Sequence, residues 1–184
     1  MVAWDGTEIL RTQRLRLRTF TEADLPLYAA LNADPPVAEM LGGPLTRAES
    51  DSIAEWANER WAQERLGLLA VERLADGAFL GMCGLHHLKD RPADVEIGWR
   101  LAHEHWGHGY ATEAARAWLA YGFETLGLER IISVTDEPNV RSLAVMRRLG
   151  LTFLENDRIQ DNGMWFDAVV YALTRSEWAE HLGR

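Results

Sequence analysis

The sequence predicts an α/β (α+β) fold: a single domain over residues 1–184 with its core at about 14–178, a mixed, mostly antiparallel twisted sheet of about seven strands flanked by about four helices. Three observations carry this expectation. Apolar residues alternate with period two in several short runs, as in Arg14-Leu15-Arg16-Leu17-Arg18, which is the signature of a strand with one apolar face. Elsewhere, after Thr46 and between Gly109 and Gly127, they recur at helical spacing. The two kinds of segment follow one another in the order βααβββαβαββ, which gives a sheet with helices on its faces.

The elements follow in order. After the strand at 14–18, Thr21 and Asp24 resemble a capping box, with Phe20 placed to staple onto Leu25, so a helix runs to about Asn32. Pro35, Pro36, Gly42, Gly43 and Pro44 punctuate residues 33–45 as a loop that could cover a substrate. Thr46 and Glu49 form a second capping box, and Ile53, Trp56, Ala57, Arg60 and Trp61 mark one face of the next helix. Three strands at 68–74, 78–89 and 94–101 imply an antiparallel meander, the first two joined at Asp76-Gly77. In the third, Val95, Ile97, Trp99 and Leu101 share one face, leaving Glu96, Gly98 and Arg100 on the other. A helix with apolar positions Ala111, Ala114, Ala115, Trp118, Leu119, Phe123 and Leu126 ends at Gly127. A buried strand at 130–135 precedes a short helix capped by Asn139 and closed by Gly150. Strands at 151–158 and 165–173 are joined through Asp161-Asn162-Gly163, a hairpin signal.

Composition narrows the function. A formal charge of −9 argues against nucleic-acid binding, which needs clustered Lys and Arg, and favours cationic partners. The one cysteine, Cys83, lies in an apolar run and reads as a small buried hydrophobe. No segment approaches the roughly 20 apolar residues of a membrane span, and the N-terminus lacks the plan of a signal peptide, so the expectation is a cytoplasmic protein with no membrane partner.

The informative stretch is strand, Gly-rich turn, helix: Glu96 to Leu101, then His105-Trp106-Gly107-His108-Gly109-Tyr110-Ala111-Thr112. Small residues let several N–H groups converge at the positive end of a helix dipole, an arrangement suited to a pyrophosphate. The same Gly-x-Gly serves helix capping as often as ligand binding. Tyr110-Ala111 stand where a nucleotide-hydrolase loop needs Lys-Ser/Thr, and Thr112 stands where a dinucleotide fingerprint wants Gly or Ala.

From about Leu15 to Trp178 the chain resembles the GNAT acetyltransferase superfamily, in particular its RimJ/RimL-like branch of ribosomal-protein N-terminal acetyltransferases. Trp106-Gly107-His108-Gly109-Tyr110-Ala111 is similar to the family's Gln/Arg-x-x-Gly-x-Gly/Ala loop, which holds the coenzyme A pyrophosphate. Asn139-Val140-Arg141-Ser142 followed by Met146-Arg147-Arg148-Leu149-Gly150 looks like the family's helix beside the pantetheine arm and sulfur. There are two departures: Trp106 replaces Gln or Arg, as is common in this branch, and Met146 replaces the tyrosine that many members use as general acid. The resemblance implies acetyl-CoA as co-substrate and no metal. It implies coenzyme contacts from Trp99, Arg100, Leu101, Trp106, Gly107, His108, Gly109, Tyr110, Ala111, Thr112, Asn139, Ser142, Met146 and Arg148. The main chain near Gly98 to Leu101 would offer an N–H to the thioester oxygen.

Acetyl transfer to an amine needs a neutral nitrogen, a polarised carbonyl and a proton for the thiolate. Glu96 is the candidate base, with a surface or paired carboxylate as the alternative. Ser142 is the candidate partner of the sulfur, the alternative being a helix-surface hydroxyl. Arg147 and Arg148 would meet the coenzyme's 3′-phosphate or simply line a solvated face. The histidines from His103 to His108 lack the spacing of a zinc site, His108 is expected beside the phosphates, and His86 and His87 alternate on a strand as solvated or satisfied side chains. Asp167 has no assigned role. An α-amine of pKa about 8 costs about 1.4 kcal/mol to neutralise at pH 7, against about 4.6 for lysine, so a single base suits an N-terminal amine. A small-molecule amine acetyltransferase, a non-catalytic acyl-CoA sensor and a purely structural module are the rival readings, and a monomer or homodimer is expected.

Overall fold

A computed structural model describes residues 3–89, 91–161 and 164–182. Among the described residues there are eight strands and six α-helices, in the order β1(Glu8–Arg11), β2(Leu15–Arg18), α1(Leu25–Ala33), α2(Pro35–Ala38), α3(Arg47–Glu64), β3(Gly67–Arg73), β4(Phe79–Leu88), β5(Arg91–Leu101), α4(Tyr110–Ala120), β6(Arg130–Thr135), α5(Val140–Arg148), β7(Thr152–Asp161), β8(Met164–Thr174) and α6(Arg175–Leu182). The strands bond in the order β1-β2-β3-β4-β5-β6-β8-β7 as one open mixed sheet. Two compact units emerge: Met1–Gly84 with Trp99–Ala117, and Leu85–Gly98 with Trp118–Arg184.

In the first unit the expected strands and helices form, with additions. β1 pairs antiparallel with β2, and β2 with β3. The punctuated segment after α1 is not wholly loop: Pro35 and Pro36 occupy the first turn of α2, where a missing N–H costs nothing. The Thr46–Glu49 capping box forms as expected, the Thr46 amide donating to Glu49 at 2.7 Å. The buried face of α3 is nevertheless Ser50, Ala54, Ala57, Asn58 and Trp61 rather than the one through Ile53 and Trp56, and Trp56 is exposed. Asn58 explains the shift, since it donates to the Phe20 carbonyl and accepts from the Phe20 amide, so a polar position is drawn inward. Phe20 packs against the rings of Tyr28 and Phe79.

A buried ionic cluster locks the start of this unit. Arg18 meets both oxygens of Asp24, at 2.6 and 2.8 Å, and its Nε meets Glu72 at 2.7 Å. Burial works against ionising Asp24, but bonds from Arg18 and the Thr21 amide outweigh it and hold the carboxyl below its ordinary range.

In the second unit β6 pairs antiparallel with β8, and β8 with β7. The helical segment before Gly127 closes with a π turn over Tyr121–Thr125, and Gly127 adopts the left-handed conformation expected of a cap. Phe123 packs on Trp178 of α6, a helix that the sequence reading did not include. Leu154 is an extra residue in β7, between Phe153 opposite Tyr171 and Glu155 opposite Val170. The expected Asn162-Gly163 turn lies outside the described residues. Among the described residues, no helix is long and apolar enough to cross a membrane.

Candidate active site

The Gly-rich turn belongs to the first unit. β5 ends at Leu101, a short 3-10 turn covers His103–His105, and α4 begins at Tyr110. Trp106 acts here as a strut: its amide donates to the His103 carbonyl and its indole Nε1 to the Leu101 carbonyl at 2.7 Å. The row of amides available to an anion therefore starts at Gly107, one residue later than the motif suggests. Gly107 and Gly109 both adopt positive φ, +78° and +79°, which side-chain-bearing residues rarely hold. The ladder around α4 opens with Glu113 donating to Gly109, which leaves the N–H groups of Tyr110, Ala111 and Thr112 as the helix's first-turn donors. A Cβ at Gly107 would meet no protein atom within 4 Å, so the main chain there is open to close approach. These features fit a diphosphate held by main-chain amides.

Two residues that the sequence reading did not single out brace this turn. Arg14 donates to the His108 carbonyl at 3.0 Å and lies 4.6 Å over the Tyr110 ring. Glu113, in the first turn of α4, accepts from Thr12 Oγ1, the Arg14 amide and Arg14 Nε at 2.6, 2.9 and 2.6 Å. A glutamate one turn into a helix is a general dipole signal, so only the fold reveals its partners. His108 stacks on Tyr110 with its Nδ1 at 2.9 Å from the Trp106 carbonyl. His103 meets Trp106 edge-on, and burial lowers the His105 imidazole's pKa. The Arg100 guanidinium turns to Asn32 Oδ1 at 2.9 Å and Tyr28 at 3.3 Å, so its contribution to a coenzyme would come from its backbone. Trp99 is half-buried.

In the second unit Glu96 is neither solvated nor on an open face. It is 8% exposed, its Oε1 accepts the Val134 amide at 3.0 Å, and its Oε2 lies 3.1 Å from His86 Nε2. The strand alternation that placed Glu96 away from Val95 and Ile97 is kept, but that face is covered too. His86, read from the sequence as a solvated or satisfied residue, is Glu96's partner, while His87 turns to the Asp94 carbonyl. Ser142 lies half-buried in α5, and its amide is capped by Asn139 Oδ1 at 3.1 Å as expected. Met146 is fully buried, so its thioether is a core group rather than a surface for a ligand, and Arg147 and Arg148 lie on the exposed side. Asp167 lines an open depression with Glu137, Asp157 and Arg158. Asp157 is already paired with Arg91 at 2.6 Å.

Comparison with known proteins shows the family of the chain. Residues 14–152 match the acetyltransferase (GNAT) domain model. The chain is 36% identical over 150 residues to YdaF of Bacillus subtilis, provisionally named a ribosomal N-acetyltransferase, covering 76% of this chain and 81% of that protein. It is 32% identical over 182 residues to the FsC-acetyl coenzyme A-N(2)-transacetylase of Aspergillus fumigatus, covering 92% of this chain and 77% of the relative. The crystal structure of an acetyltransferase from Agrobacterium tumefaciens aligns with a TM-score of 0.79 at 31% identity, over 93% of this chain and 96% of that one. With sequence, motif and fold in accord, the chain belongs to the GNAT family of acetyltransferases.

Proposed function

We propose that this acetyltransferase moves the acetyl group of acetyl-CoA directly onto a primary amine, and that its acceptor is a protein or peptide N-terminal α-amine in the cytoplasm. The observation that carries the coenzyme assignment is the run of main-chain donors from Gly107 to Thr112, with two left-handed glycines and an external brace. Acetyl-CoA supplies a thioester whose C–S bond breaks as the new N–C bond forms. The chain's part is to hold the diphosphate at the turn, to remove a proton from the ammonium, and to meet the developing charge on sulfur. Glu96, paired with His86, is the proposed proton acceptor, and Ser142 the proposed hydrogen-bond partner of the sulfur.

The acceptor assignment is supported by the likeness to YdaF and by proton cost, which favours an α-amine over a lysine. The chain's charge of −9 and the carboxylates of Glu137 and Asp167 suit any cationic amine. A second reading, a small-molecule amine, is favoured by the likeness to the FsC transacetylase. Thiol release with acetyl-CoA and a panel of short peptides against free amino acids, polyamines and aminoglycosides separates the two. Turnover confined to the small amines would defeat the N-terminal acceptor. Gly109→Val tests the coenzyme site: a branched side chain at φ +79° cannot keep that conformation, and coenzyme A affinity is expected to fall about tenfold or more. Wild-type affinity in a folded variant would refute the assignment of the turn.

A further inference from the structure

A charge drawn out of water needs a counter-charge, and the chain's enclosed guanidinium groups follow that rule with one exception. Among the described residues Arg16, Arg18, Arg60, Arg73, Arg91 and Arg175 are buried or half-buried, and each meets a carboxylate within 3.1 Å. Arg100, at the end of β5, is half-buried and meets none. Its Nη1 donates to Asn32 Oδ1 at 2.9 Å and to the Tyr28 hydroxyl oxygen at 3.3 Å, both neutral groups. The chain carries 28 Asp and Glu residues, so a shortage of acids does not explain the exception.

The neutral partners are themselves held. Asn32 Nδ2 donates to Ser50 Oγ at 3.0 Å, which turns its oxygen toward the guanidinium. The Tyr28 hydroxyl donates to Met82 Sδ at 3.0 Å, which leaves its lone pairs for Nη1. Tyr28, Asn32 and Ser50 are wholly buried, so a fixed polar chain from α1 and α3 pins the cation without neutralising it. Only Nη1 is used in this way. Nε and Nη2, the edge that takes a carboxylate with two parallel bonds, have no protein partner among the described residues and are not sealed in. Asn32 also ties this group to the segment 33–45, which the sequence reads as a cover for a substrate. Its carbonyl accepts the Leu45 amide at 3.3 Å and so closes that segment at its base. Arg100 thus stands at the root of the cover, on the strand that four residues earlier carries the proposed proton acceptor Glu96.

We infer that Arg100 is a specificity-determining residue that binds a carboxylate of the acceptor through Nε and Nη2, so that the enzyme selects amines that also carry an acid. The identity of the ligand rests on the acetyl-transfer reading; the unmatched guanidinium does not. The net charge of −9 draws cations and repels acids, so a preference for acidic acceptors would have no source in the general field of the molecule. An acidic side chain near a peptide's N-terminus and the α-carboxylate of a free amino acid offer the same chemistry.

The experiment measures kcat/KM with acetyl-CoA for acceptors paired as acid and amide: peptide amides with Glu or Gln at either of the first two positions, and free alanine against alaninamide. The acid-to-amide ratio of at least one pair is expected to be about tenfold or more higher in wild type than in Arg100→Gln, the worth of a charge-assisted hydrogen bond. Taking the ratio within each protein cancels a general loss of activity, and comparing the two proteins cancels differences in amine basicity. Arg100→Lys keeps the charge but not the two-pronged edge, and its ratio is expected to fall about threefold or more. A difference in the peptide pairs supports the inference together with an N-terminal acceptor. A difference confined to alanine supports the inference and defeats the N-terminal acceptor. A ratio that Arg100→Gln leaves unchanged in every pair overturns it. Should Arg100→Gln not fold, an unchanged ratio in Arg100→Lys overturns it. If wild type acetylates no amine, the acetyl-transfer reading falls instead, and calorimetric titration of the same pairs into coenzyme A-loaded wild type and variant decides: affinities that do not differ between acid and amide, or no binding at all, overturn the inference.

Discussion

Replacing Glu113 with alanine removes a single carboxylate that ties the segment between β1 and β2 to the Gly-rich turn and α4. Three bonds go with it, from Thr12 Oγ1, the Arg14 amide and Arg14 Nε. The glutamate side chain is 18% exposed and that of Arg14 44%, so the guanidinium pair is partly screened by water and contributes only about 0.5 kcal/mol. The hydroxyl and amide bonds to a mostly buried carboxylate carry more, and the whole loss comes to about 3 kcal/mol at pH 7. For a chain of this size that is a fall in Tm of about 6–12 °C. Glu113→Gln keeps an acceptor for Thr12 and the Arg14 amide and is expected to cost about 1 kcal/mol. Burial works to raise the Glu113 carboxyl's pKa, but the bonds from Thr12 and Arg14 more than offset it and hold it below the ordinary value. A carboxyl depressed in the folded state stabilises fully above its unfolded pKa of about 4.3 and loses that contribution as pH falls through the lower folded value. Urea unfolding of wild type and variants at pH 7 and in acid measures both effects. An alanine variant within about 0.5 kcal/mol of wild type at pH 7 would show that this brace contributes nothing, and a gap that fails to shrink in acid would show that its contribution does not come from the ionised carboxylate.

Two further outcomes follow from buried groups. Asp24→Asn leaves Arg18 buried with one fewer charge to meet it and is expected to destabilise the fold by about 3–5 kcal/mol, read as a lower urea midpoint at unchanged slope. Because the Asp24 carboxyl is held low in the folded state, this penalty should fade as pH drops through that depressed value. Cys83 is wholly buried, and burial pushes its thiol far above the usual range, so an aromatic disulfide reagent should react with it only on unfolding. Rapid labelling of the native protein would contradict that.

The sequence carried local signals well. Capping at Thr46 and Asn139, left-handed caps at Gly127 and Gly150, and the strand–turn–helix around Gly107 all depend on residues a few positions apart, and all are found in the structure. What escaped were arrangements between distant segments. Glu113 lies 101 positions from Thr12, and Val134 lies 38 from Glu96; neither pairing leaves a periodic trace in the chain. Asn58 turned α3 away from the face its apolar residues marked because a polar side chain bonded to the Phe20 backbone outweighed the burial of Trp56. The helix α2 was hidden because two consecutive prolines look like loop punctuation whether they break a helix or begin one. Glu96 stood out by type and register, yet its burial and its histidine partner depend on which neighbour covers that face.

The extra residue at Leu154 has a bearing on how the molecule behaves in a crowded solution. β7 ends the strand order, and Phe153 and Leu154 are both large, apolar and exposed there. A flat outer strand of that composition would invite a neighbour to stack on it and propagate into fibrils. The kink spoils the spacing such a neighbour would have to match, and Glu155 and Asp157 just beyond it, tied to Arg91, set fixed charges along the rim. Greasy side chains can thus remain at the border of the sheet while the sheet itself stays finite.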